Sequence, residues 1–147
     1  MSDRSVEEIN EARVRVLDEH LRAENAHDVD RIMETFSQSA KFTLNGNTYG
    51  GHNLIRIAHE RFGFSEGGSF SDLRISEQRR YTSDSAIILE QTVSGKHTGT
   101  WDGITATGRE IKVSICTIYM FDADDRLVGE NVYFDGALLL RQLGAIS

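Results

Sequence analysis

The chain has no proline and a single cysteine, Cys116, among 147 residues. One cysteine excludes an internal disulfide framework and any cysteine-rich zinc site. No apolar run approaches the 18 residues that a membrane-crossing helix needs. Basic residues are the minority, 16 Lys and Arg against 23 Asp and Glu, for a net charge of −7. That balance argues against binding to a nucleic-acid backbone, which takes a basic surface. Met1 to Asn10 is polar and acidic, unlike a secretory signal, so the expected compartment is the cytoplasm. Familiar motifs are missing as well. There is no phosphate-binding loop, no dinucleotide fingerprint beyond the lone pair Gly50-Gly51, no His-Glu-x-x-His and no Gly-x-Ser-x-Gly. There is no internal repeat and no linker, and the length fits one domain over residues 1–147. A chain of this size buries roughly 70% of its unfolded surface, enough for a core with an internal cavity.

What is present is patterned. Val6, Ile9, Val16, Leu17 and Leu21 recur at near-helical spacing, and His20 interrupts that stripe. Asp28 is placed to cap a short second helix whose apolar face is Val29, Ile32, Met33 and Phe36. Lys41 to Leu44 reads as a strand entering an Asn45-Gly46 turn. A third helix is expected from Asn53 to about Phe62, with Leu54, Ile55, Ala58 and Phe62 inward. Strands follow over Ser69 to Arg80, Ser85 to Ser94, Arg109 to Phe121 and Leu127 to Asp135. The third alternates most clearly, with Ile111, Val113, Ile115, Tyr119 and Phe121 on one face. A last short helix runs from Ala137 to Leu143, stopped by Gly144. Helices first and then an antiparallel meander predict an α+β fold. The sheet is expected to curl into a cone around the early helices and to enclose an apolar pocket.

The chemistry on offer is acid–base. Asp135 ends an apolar strand, where a desolvated carboxylate would serve as a proton shuttle; the competing role is the cap of the last helix. His97 sits between Gly95 and Gly99, either aimed at a ligand or on an exposed sheet edge. His20 is either a satisfied core residue or a group facing the cavity. Gln91 and Asn131 alternate with apolar neighbours and are polar pocket candidates. Tyr49, Trp101, Tyr119 and Tyr133 are either pocket walls or plain core. His52 and His59 share one side of the third helix, but no third ligand is evident, so they read as surface or pocket-rim residues and no metal site is expected. Cys116 reads as a buried, inert thiol.

Gly95-Lys96-His97-Thr98-Gly99, then Thr107-Gly108-Arg109, then Asp135 ahead of Leu138-Leu139-Leu140-Arg141-Gln142-Leu143-Gly144, together resemble the SnoaL-like polyketide cyclase family. That family lies within the nuclear-transport-factor-2-like superfamily. The resemblance covers most of the chain. It implies a cofactor-free acid/base enzyme, a cyclase or isomerase, acting on a small hydrophobic substrate. It implies Asp135 as the general acid/base, with His97 nearby. It also implies a homodimer paired through the outer sheet face. Two departures stand out. Thr105-Ala106 replaces a common proline, in a turn expected to border the pocket mouth, and Asn131 or a neighbour replaces a tryptophan. The residues at other catalytic positions of the superfamily do not match. Gln91, Val93 and Val132 replace an epoxide-hydrolase triad, Leu44 or Asn45 a ketosteroid-isomerase base, and Asn25 a dehydratase aspartate. His20 falls near the isomerase oxyanion tyrosine. The alternatives are a non-catalytic small-molecule-binding protein and a dimeric scaffold on the same fold.

Overall fold

The computed structural model describes residues 3–147; Met1 and Ser2, the start of the polar N-terminal stretch, lie outside them. Helix α1 spans Val6–Asn25, and its Ser5 cap accepts a hydrogen bond from Glu8 N at 3.1 Å. Acidic Glu7 and Glu8 occupy its first turn, where the helix dipole favours negative charge. Helix α2, Val29–Glu34, carries the expected Asp28 cap, which accepts from Arg31 N. Phe36, expected on the face of α2, instead opens strand β1, Phe36–Leu44, and is fully buried. Asn45 and Gly46 both take positive φ, 46° and 90°, and turn the chain into β2, Asn47–Gly50.

Helix α3 spans His52–His59, shorter than its sequence pattern predicts. The chain continues into a wider turn over Glu60–Phe64, in which Gly63 takes φ 147°. A Cβ there would stand 2.1 Å from the Phe70 carbonyl oxygen, so only glycine fits. Ile55 faces the core, while its neighbour Leu54, expected inward, falls on the outer side of the helix and is half exposed. Four long strands follow: β3 Phe70–Thr82, β4 Ala86–His97, β5 Glu110–Phe121 and β6 Leu127–Phe134. Helix α4, Gly136–Gln142, closes the chain.

The sheet order is β2-β1-β6-β5-β4-β3. It is mixed rather than wholly antiparallel, because β1 runs parallel to β6. The two strands come from opposite halves of the sequence and meet only after the meander folds back. A parallel neighbour cannot be reached through a hairpin, so local turn signals do not reveal it. The curved sheet wraps α1, α2 and α3, and the core fills the space between. Ile87, Leu89 and Val93 of β4 and Ile111, Val113 and Tyr119 of β5 point inward onto Leu17, Ile32 and Ile55.

Alternation decides which side chains see that interior. On β5 the odd positions face in, as the sequence predicts. Cys116 is therefore on the outer face and half-buried, not a core thiol. On β6 the even positions Glu130 and Val132 face in, which turns Asn131 and Tyr133 outward; Tyr133 is half exposed. Among the described residues, no helix is long and apolar enough to cross a membrane.

Candidate active site

The interior holds an apolar cavity of about 50 Å³ between α3 and the sheet. Its walls include Phe42, Leu44, Ala58, Phe62, Phe64, Ile75, Ile115 and Val132. Polar groups on the wall are Glu24, His59, Gln91, Thr117, Tyr119 and Glu130. Leu44, Ala58 and Phe62 also border an outer pocket of about 500 Å³, whose lining includes Tyr49, Arg61 and Trp101. Three side chains thus separate a narrow inner chamber from a wide mouth.

Four ionisable side chains cluster beside the inner chamber, and three of them, Glu24, His59 and Glu130, stand on its wall. His20 and Glu24 lie one turn apart on α1, His59 ends α3, and Glu130 is on β6. They are 0%, 3%, 2% and 3% exposed, and one ligand-type atom from each lies within 4.8 Å of the others. His20 Nε2 is 3.4 Å from Glu24 Oε1 and 3.6 Å from Glu130 Oε2. His59 Nε2 is 3.8 Å from Glu130 Oε2. None of these contacts has hydrogen-bond geometry, and among the described residues His20 Nε2 and Glu130 Oε2 have no hydrogen-bond partner.

The far nitrogen of each ring is fastened. His59 Nδ1 donates to the Ile55 carbonyl at 2.9 Å. His20 Nδ1 lies 2.8 Å from the Thr35 hydroxyl, which itself donates to the Ile32 carbonyl at 2.6 Å. A hydroxyl has one proton, so Thr35 accepts from His20. Both neutral rings therefore carry hydrogen on Nδ1 and aim the Nε2 lone pair at the carboxylates. Aromatic edges jacket them: Phe36 and Tyr119 against His20, and Phe42 against His59.

The environment splits the four titrations. Burial opposes charge on His20, but Glu24 and Glu130 outweigh it and raise the imidazole pKa. Burial pushes the Glu24 carboxyl up to about 8, against the pull of His20 and with added repulsion from Glu130. Burial acts on Glu130 too, yet His20 and His59 bring it below the ordinary glutamate value. Burial lowers His59 despite the attraction of Glu130. Burial, with Glu130 and Glu24 nearby, raises the Tyr119 hydroxyl well above its ordinary value, so it remains a donor.

The residues singled out from sequence divide between this chamber and elsewhere. His20, Gln91 and Tyr119 are brought together here, and Gln91 Oε1 accepts from the Thr117 hydroxyl at 3.1 Å. Trp101 and Tyr49 stand at the outer mouth. Asp135 stands outside both pockets; it is exposed, and its carboxylate accepts from Leu138 N at 3.0 Å as the α4 cap. His97 is fully buried rather than on an exposed edge, pressed against Phe70, with Nδ1 accepting from Thr107 N. It lines neither pocket. Asn131 and Tyr133 point away, for the parity reason given above. The exposed Thr105-Ala106 turn borders neither pocket.

Sequence reasoning misses Glu24 and Glu130 and reads His59 as a surface or pocket-rim residue, whereas it is buried on the chamber wall. A signal existed for Glu24, an acidic residue one helical turn beyond His20 on the same stripe. On β6 the sequence drew attention to Asn131, one residue out of register with the inward Glu130.

The family model for SnoaL-like polyketide cyclases matches residues 11–143. A sequence search of curated proteins finds no match. Solved structures share the fold. TsrD from Streptomyces laurentii is 22% identical with a TM-score of 0.77, over 99% of this chain and 100% of its own. AclR from Streptomyces galilaeus is 19% identical with a TM-score of 0.76, over 92% and 97%. A protein of Catenulispora acidiphila with a ketosteroid isomerase-like fold, solved in complex with trimethylamine, is 13% identical with a TM-score of 0.70, over 88% and 92%.

Proposed function

Because the chain belongs to the SnoaL-like polyketide cyclase family, we propose that it is an acid/base enzyme for a small hydrophobic molecule, breaking a C–H bond beside a carbonyl at the His20–Glu24–His59–Glu130 cluster. One observation carries this reading: of four buried ionisable groups gathered within 4.8 Å of one another, three, Glu24, His59 and Glu130, stand on the wall of a largely apolar chamber. An apolar pocket with a few convergent polar groups is the usual form of a small-molecule site. A carboxylate there is within reach of a substrate carbon, and the surrounding apolar walls keep water from competing.

Donors for the substrate oxygen are at hand. Gln91 accepts from Thr117 through its carbonyl oxygen, and its amide lies beside the Tyr119 hydroxyl. Tyr119 supplies a buried hydroxyl on the same wall. Such donors stabilise the enolate that forms when the proton leaves. Cyclisation and isomerisation both begin with that step. Asp135, held at the helix cap, and His97, packed behind Phe70, have no part in this reading. A homodimer paired through the outer sheet face is the expected assembly, and sedimentation of the purified protein reads it.

The test is deuterium exchange in heavy water, followed by proton NMR, on a small panel of apolar ketones that includes β-tetralone. Wild type is expected to speed exchange at the carbon beside the carbonyl. Glu130→Gln should lose most of that acceleration, of the order of 10²-fold or more, while keeping its circular dichroism. Ketones that bind without accelerated exchange would favour the non-catalytic binding protein instead.

A further inference from the structure

We propose that His20, Glu24, His59 and Glu130 bind one divalent first-row transition-metal ion of the zinc class, through both Nε2 atoms and one oxygen from each carboxylate. The proposal goes beyond the catalytic reading and does not depend on it.

The four groups fail to pair with one another. A protonated imidazole beside a carboxylate closes to about 2.7–2.9 Å and aligns its N–H. Here the separations are 3.4, 3.6 and 3.8 Å, and no hydrogen bond joins imidazole to carboxylate. Side chains whose lone pairs aim at a common point, rather than at one another, take up this arrangement. A four-coordinate site with bonds of about 2.0–2.1 Å places neighbouring ligand atoms about 3.3 Å apart. No pair in the cluster exceeds 4.8 Å, so modest side-chain adjustments close on an ion.

His20 Nε2 and Glu130 Oε2 are buried polar atoms without partners among the described residues, and a buried polar group without one carries a substantial cost. An ion between them satisfies both. Its two positive charges also balance two carboxylates, with both imidazoles neutral, so the site is buried with no net charge.

Metal-bound histidines characteristically donate their second N–H to a carbonyl, carboxylate or other acceptor, which fixes the ring. His59 does so to Ile55 and His20 to Thr35. Two imidazole nitrogens select against magnesium and calcium, which favour oxygen donors, and for zinc, cobalt, iron or manganese. Access exists too. Glu24, His59 and Glu130 border the inner chamber, so an ion held there keeps one side open to a small ligand.

The test uses untagged full-length protein stripped with a chelator. Zinc is titrated by calorimetry, and cobalt by its visible absorption, which is intense for four- and five-coordinate ions. One equivalent per chain is expected, with cobalt bands of low coordination number. Glu130→Gln and His59→Gln should each weaken binding at least about tenfold, with unchanged circular dichroism. His52→Gln, outside the cluster, should bind as wild type does. No binding by the folded wild type overturns the proposal. So does binding that survives Glu130→Gln, His59→Gln and Glu24→Gln undiminished. Loss of ketone exchange in Glu130→Gln without metal binding by wild type would leave the catalytic reading standing alone. Metal binding without exchange would do the reverse.

Discussion

The Thr35 hydroxyl, between the Ile32 carbonyl and His20 Nδ1, dictates which nitrogen of His20 faces Glu24 and Glu130. Its one proton goes to the carbonyl, so the ring must donate. Thr35 thus acts on the other three groups only through His20. Thr35→Val keeps the side-chain shape and removes the acceptor, leaving a buried N–H unpaired. It is expected to cost about 1–3 kcal/mol in urea unfolding and to weaken cobalt binding by roughly 10–100-fold. Thr35→Ser, which keeps the hydroxyl, should restore most of the affinity.

Asp135 offers a contrast between a cap and a catalyst. Asp135→Ala should lower stability by about 1 kcal/mol, the usual value of a helix N-cap, and Asp135→Asn should be nearly neutral because asparagine caps equally well. Denaturant melts check both. In the exchange assay, Asp135→Asn should match wild type, since the carboxylate is exposed and engaged with Leu138 N.

Gly63 tests the wide turn that sets His59 in place. Gly63→Ala would drive a Cβ into the Phe70 carbonyl and hold a left-handed backbone that alanine resists. A loss above about 2 kcal/mol is expected. Gly46→Ala serves as the comparison. It shares the positive φ but has open space around it, so its cost should be smaller.

Ala58 lies on the partition between the two pockets. Ala58→Phe should close the passage while its ring stays within apolar surroundings. Ketone exchange should fall at least tenfold, with KM rising or turnover vanishing, and thermal unfolding should shift by only a few degrees. Zinc is small enough to pass where a ketone cannot, so its stoichiometry should persist.

The elements of this fold are legible because their signals are local. Asp28 and Asp135 announce helix starts, Asn45-Gly46 announces a hairpin, and the alternation of β5 states its inward face. The parallel pairing of β1 with β6 is not legible, because no turn residue encodes a contact between distant strands. The cluster is hidden for the same reason. His20 and Glu24 share a helix and could have been read as a pair. His59 and Glu130 reach them only through the curl of the sheet, so His59 looked like a rim residue with no third ligand. For β6, apolar residues fall at both parities, with Leu127 odd and Val132 even. The sequence alone therefore did not say that Glu130, rather than Asn131, turns inward.

The inner chamber of about 50 Å³ has room for little more than a water or two. A molecule with a bulky or branched reacting end cannot bring that end to Glu130 unless Leu44, Ala58 and Phe62 yield. A flat molecule can slide one edge past them and leave its body in the mouth beside Trp101. The partition therefore works as a gauge of thickness. In the proposed enzyme it would sort substrates by how thin an edge they present, before any polar group is met.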